Sequence, residues 1–197
     1  MRLTILTLVL LSACHQDDQG PSAAMPRYDL LKPCEPTELH RRSPIDAESL
    51  CGTITVFEDR AQGAGRTIDL NVMVIPAVDN VAKPDPIFFL AGGPGQAATD
   101  VGPDFFAQMP RLRAHRDIVL VDQRGTGSSN SLSCRPDDDT INHLGTTLDE
   151  LVQIERDTLK HCLQTYDADT RLYTTPIAMD DLNEVREKLG YASINLY

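Results

Sequence analysis

Two short, wholly apolar runs, 87–91 (IFFLA) and 117–121 (DIVLV after its leading acid), each pass without a break into a glycine-rich turn. Such runs are too short for a helix and too apolar for a strand with one wet face, so both read as central strands buried on two sides. The turns that follow them are 92–95 (GGPG) and 122–129 (DQRGTGSS). Upstream, 53–59 (TITVFED) and 67–77 (TIDLNVMVIPA) are rich in β-branched residues and flank the glycine-containing stretch 61–66, the pattern of an antiparallel hairpin. Segments 99–113 and 148–166 read as helices, the second carrying Leu148, Leu151, Val152, Ile154, Leu159 and Leu163 on one broad face. A third starts near Pro176, shows Met179, Leu182, Val185 and Leu189 at three- and four-residue spacing, and stops at Gly190 before a strand at 194–197. Strands alternating with helices after a hairpin imply an α/β sheet, parallel in its centre with an antiparallel edge.

The chain's 197 residues suit one domain. A formal charge of -11 gives a surface that repels phosphate backbones, so no nucleic-acid partner is expected. At the N-terminus, Arg2 precedes an apolar run too short to span a bilayer, and Leu11-Ser12-Ala13-Cys14 resembles the lipobox of bacterial lipoproteins. Residues 1–13 are thus expected to be a signal peptide. Cys14 would be the lipidated mature end, 14–34 a disordered tether and 35–197 the folded domain, held at a membrane in the periplasm or on the cell surface. Four cysteines then remain. An oxidising compartment favours two disulfides, and sequence proximity favours Cys34 with Cys51 and Cys134 with Cys162. No spacing typical of a metal site occurs, and His115 and His161 read as solvated. The acidic run 137–139 reads as a hydrated loop. The chain stops in mid-strand at Tyr197, and it is therefore expected to be the N-terminal part of a longer protein.

Ligands of open α/β sheets sit at the carboxyl ends of the strands, where both glycine-rich turns fall. Bare glycine N–H groups there suit an oxyanion hole. LAGGPGQ, followed by DIVLVDQRGTGSS and a helix leading to SINLY, resembles the α/β-hydrolase fold, and within it the proline iminopeptidase and tripeptidyl aminopeptidase group of serine peptidases. The resemblance runs over residues 51–197. It implies that Gly92 and Gly93 lie at the oxyanion hole. Asp122, Arg124, Gly125 and Gly127, at the end of the neighbouring strand, are expected to form the second turn of the cleft, with Asp122 and Arg124 as structural turn residues. The resemblance also implies that the nucleophilic Ser in its G-x-S-x-G elbow, the Asp and the His all lie beyond Tyr197. None of Ser128, Ser129, Ser131 or Ser133 sits in such an elbow, and Ala91 stands where many relatives have His. The expected activity is that of an exported aminopeptidase acting on a peptide or ester substrate without a cofactor, in which this chain alone is inactive. The alternatives are a carboxylesterase, a non-catalytic lipoprotein, and a Rossmann-type dinucleotide binder. The last rests on Gly93, Gly95 and Ala98 fitting G-x-G-x-x-A with Asp122 closing the next strand.

Overall fold

The β-branched segments pair where their alternation places them. In the computed structural model, which describes residues 28–35, 49–79, 82–134 and 147–197, β1 (Lys32–Pro33), β2 (Leu50–Phe57) and β3 (Thr67–Ile75) make an antiparallel half-sheet. Its register runs from Leu50 opposite Val74 to Phe57 opposite Thr67. The first half of β3 alternates exposed and buried residues, whereas Val72 to Ile75 are buried on both faces. The change marks where helices cover both sides of the sheet.

The two apolar runs become β4 (Ile87–Phe89) and β5 (Ile118–Val121), parallel neighbours with Ile87 opposite Ile118. A last strand, β6 (Asn195–Leu196), runs parallel to β4 on its other side. The full order is β1-β2-β3-β5-β4-β6. The protein is thus a mixed α/β fold with one six-stranded sheet, antiparallel in one half and parallel in the other.

Helices α1 (Ala98–Ala107) and α2 (Pro110–Arg113) lead from β4 to β5; α3 (Leu148–Thr165) and α4 (Thr175–Lys188) lead from β5 to β6. The two crossovers use opposite faces of the sheet. Phe106 of α1 packs with Met73, Ile75, Ile118 and Leu120, while Leu182 and Val185 of α4 pack with Val72, Val74, Val119 and Val121. Each such apolar side chain, fully removed from water, contributes about 1.5–3 kcal/mol. The segment expected as one helix over 99–113 is broken at Gln108 and Met109, because Pro110 disfavours helical backbone in the residue before it.

The end of the presumed tether is also corrected. Residues 28–34 are docked: Tyr28–Leu30 form a 3-10 turn, Lys32 and Pro33 pair with Cys51 and Leu50, and the Tyr28 hydroxyl donates to Asp117 at 2.5 Å. Residues 1–13, expected to be a signal peptide, Cys14, expected to be lipidated, and the acidic run 137–139 lie outside the described residues. Both cysteine pairs are bridged as sequence proximity suggests, Cys34 to Cys51 with Cα atoms 4.8 Å apart and Cys134 to Cys162 with 5.7 Å. Among the described residues no helix is long and apolar enough to cross a membrane, and no group of three or more potential ligands could hold a metal ion.

Candidate functional site

Because β4, β5 and β6 are parallel, their carboxyl ends share one rim, and both glycine-rich turns leave from it. The chain departs β4 across one face towards β5 and departs β5 across the other face towards β6, passing over β4. That reversal is a topological switch point, where the connections splay apart and leave a crevice.

The first turn stands open. Residues 92–96 are exposed, Gly93 has φ +84° and Gly95 φ +93°, a left-handed backbone that glycine adopts without steric cost. Among the described residues none accepts a hydrogen bond from the N–H groups of Gly92, Gly93, Gly95 or Gln96. Four main-chain donors are therefore left to solvent or to a ligand. On the β6 side, Phe89, Phe105 and Tyr197 form an aromatic wall, with Phe105 5.3 Å from Phe89 and 5.6 Å from Tyr197 between ring centres.

The second turn is closed on itself and against the first. Gly125 N–H donates to the Ser129 carbonyl and Leu132 N–H to that of Gly125. At Gly127 a methyl group would stand 2.2 Å from Asp122 Oδ2 and 2.7 Å from the Ala97 side chain, so only glycine lets the two turns meet. Asp122, 1 % exposed, points into this junction. Its carboxylate accepts from Thr99 N–H at 2.9 Å, from the Thr99 hydroxyl at 3.0 Å, from Asn71 Nδ2 at 3.0 Å and from Ser128 N–H at 3.2 Å. Ser129 is buried beside it, its hydroxyl accepting from Asn71 N–H at 2.8 Å. Ser128, Ser131 and Ser133 are exposed and have no histidine among their hydrogen-bond partners in the described residues.

Arg124 turns away from the rim. Its guanidinium, 1 % exposed, forks onto Asp181 of α4 at 2.6 and 2.8 Å and donates to the carbonyls of Phe57, Glu58 and Leu172. Arg60 and Glu184 extend the ion pair, and Tyr173 lies 5.7 Å from the guanidinium carbon. Burial, with the Glu58 carboxylate beside it, pushes the Tyr173 phenol up to about 12, so it serves as a neutral donor, to Glu58 at 3.0 Å. At the opposite rim, Tyr28 and Tyr191 both donate to Asp117, and burial raises both phenols well above the ordinary tyrosine range.

Of the residues singled out from sequence, Gly92 and Gly93 lie in the exposed first turn, Asp122 and Gly127 form its junction with the second turn, Gly125 closes the second turn on itself, and Arg124 ties that turn to the core. No protein-family model matches the chain, and no curated protein matches it. The functional reading therefore stands on the geometry and on the sequence pattern. Partners that the sequence reading missed are Thr99, Asn71 and Asp181. Asp181 carries a legible signal, three residues after buried Ala178 and four before buried Val185 on the apolar stripe of α4, where a charge must find a buried partner.

Proposed function

We propose that this chain contributes the oxyanion side of an exported serine hydrolase, most like the aminopeptidases that release N-terminal residues or short peptides. The observation that supports it is the pair of turns on one rim, in contact through Gly127 and Ala97, with no acceptor among the described residues for the N–H groups of Gly92 and Gly93. A rigid donor pair of this kind stabilises the oxygen that becomes negative when a nucleophile attacks a peptide or ester carbonyl, one donor being worth about 3 kcal/mol in the transition state. In such a mechanism a Ser attacks, a His takes its proton and later gives it to the leaving amine, and an Asp orients the His. Those three groups are proposed to lie beyond Tyr197, following β6.

The dinucleotide alternative loses ground at Asp122. A pyrophosphate would need the first-turn N–H groups of α1, yet Thr99 N–H already donates to a buried carboxylate whose charge would repel it. The ribose-binding role fails too, since that carboxylate is saturated inside the junction and cannot reach an exposed sugar.

Hydrolysis assays on aminoacyl aryl amides and on aryl esters test the reading. The gene product isolated from its host is expected to cleave the amides, and residues 14–197 alone to cleave neither. Turnover by that segment, or turnover by neither preparation, contradicts the reading.

A further inference from the structure

We infer that Asp122 is a positioning residue, a carboxylate that caps α1 from a different strand and thereby holds the open turn 92–96 over the shared crevice. The inference rests on the hydrolase reading for what the turn does, though not for how the turn is held.

Helix α1 begins at a residue that cannot cap it. Its N-cap is Ala97, which has no side-chain acceptor, and no side-chain bond from the cap satisfies the first-turn donors. An Ala at this position leaves a helix less stable than Ser or Asp would. Asp122 supplies the missing acceptor from the end of β5, binding both the N–H and the hydroxyl of Thr99. The negative charge also lies at the positive end of the helix.

The same two oxygens reach the second turn through Ser128 N–H and β3 through Asn71, so three elements converge on one group. Asn71 closes the arrangement, its amide reaching Thr99 as well as Asp122 and its main-chain carbonyl accepting from Asp122 N–H at 3.0 Å. Among the described residues no cation pairs with Asp122; only N–H and O–H dipoles compensate its charge. Such a site is satisfied only when every donor is in place, and removing the charge releases several donors at once. The open turn has no other internal tether of this kind. Among the described residues its N–H groups have no acceptor, so its position is inherited from Ala97, which abuts Gly127, and from Thr99, which is bound to Asp122.

Backbone NMR with amide hydrogen exchange on the full chain tests this, comparing the wild type with Asp122→Asn and Thr99→Val. In Asp122→Asn the amides of Thr99 and Ser128 are expected to lose protection by about tenfold or more, the loss of a charge-assisted bond. The resonances of Gly92, Gly93, Gly95 and Gln96 should shift with them while the β2–β3 ladder keeps its wild-type protection. Thr99→Val should move the same resonances by less. Turn resonances that stay in place in Asp122→Asn overturn the inference, as does a uniform loss of protection across the sheet. If Asp122→Asn does not fold, Thr99→Val decides alone, and an unmoved turn then overturns it. In hydrolysis assays on the gene product isolated from its host, Asp122→Asn should lower kcat with KM unchanged. A wild-type gene product that hydrolyses nothing while the NMR result holds removes the hydrolase reading and leaves Asp122 in its positioning role.

Discussion

Gly127 has no room for a methyl group. With Asp122 Oδ2 2.2 Å and Ala97 2.7 Å from the position a Cβ would take, and φ at +49°, Gly127→Ala must displace the buried carboxylate or part the two turns. Thermal or urea unfolding should show a loss well above the ~1 kcal/mol of left-handed backbone alone. Gly63→Ala is the control, since φ is +57° there and nothing lies within 4 Å. Arg124→Met should be as damaging, about 3–5 kcal/mol, because it leaves Asp181 buried against Arg60 alone and strips three carbonyls of their donor. The phenols set the alkaline limit. Folding favours neutral Tyr28, Tyr173 and Tyr191, so their contribution is intact below the ordinary tyrosine value of 10.0 and is lost as the pH climbs through about 12 at Tyr173. Absorbance of phenolate should therefore rise for these three of the five tyrosines only as the protein unfolds. Early ionisation of all five in the folded state would contradict that. Asp181, which the sequence reading missed, left a signal in the periodic pattern of its helix. The depth of Asp122 left none, because its donors come from Asn71 and Thr99, 51 and 23 positions away.

At the scale of elements, the two long helices share a helical period and differ in what the period buries. On α4, Leu182 and Val185 are in the core, so Leu182→Ala should cost about 2–5 kcal/mol. On α3 the stripe read from sequence faces outward: Leu148, Leu151, Val152, Leu159 and Leu163 are exposed and Cys162 alone is buried. Leu159→Gln should accordingly leave the unfolding free energy within about 0.5 kcal/mol of the wild type. A loss as large as that of Leu182→Ala would show that α3 has a packed face. Sequence periodicity finds the stripe and cannot report what lies opposite it, since that depends on the path of the chain after β5. The disulfides act on the same scale. Cys34–Cys51 closes 17 residues and pins the Tyr28–Pro33 segment to β2, so removing it should cost about 3 kcal/mol, read as a lower denaturation midpoint. The helix break at Pro110 was foreseeable from its backbone restriction, whereas β1 carries no strand pattern in its two residues and is held by the disulfide and by Tyr28.

For the whole molecule, the buried runs and their glycine-rich exits were readable, and so was the α/β class, because doubly buried strands demand helices on both faces. Strand order required the structure. Placing β4 beside β5 in parallel register is what brings the two glycine-rich turns to one edge of the sheet, where they meet at Gly127 and Ala97. Anchoring is a separate matter. On the expectation that Cys14 is lipidated, Cys14→Ala should move the protein from the membrane fraction to the soluble fraction, and unchanged fractionation would contradict that expectation. The proposed oxyanion turn requires a nucleophilic serine. Mass-spectrometric mapping of the residue labelled by an aryl fluorophosphonate, on the gene product taken from its host, tests this most directly. The account predicts one labelled serine, in the sequence following β6. A protein that takes no label, or one labelled at Ser128, Ser129, Ser131 or Ser133, contradicts it.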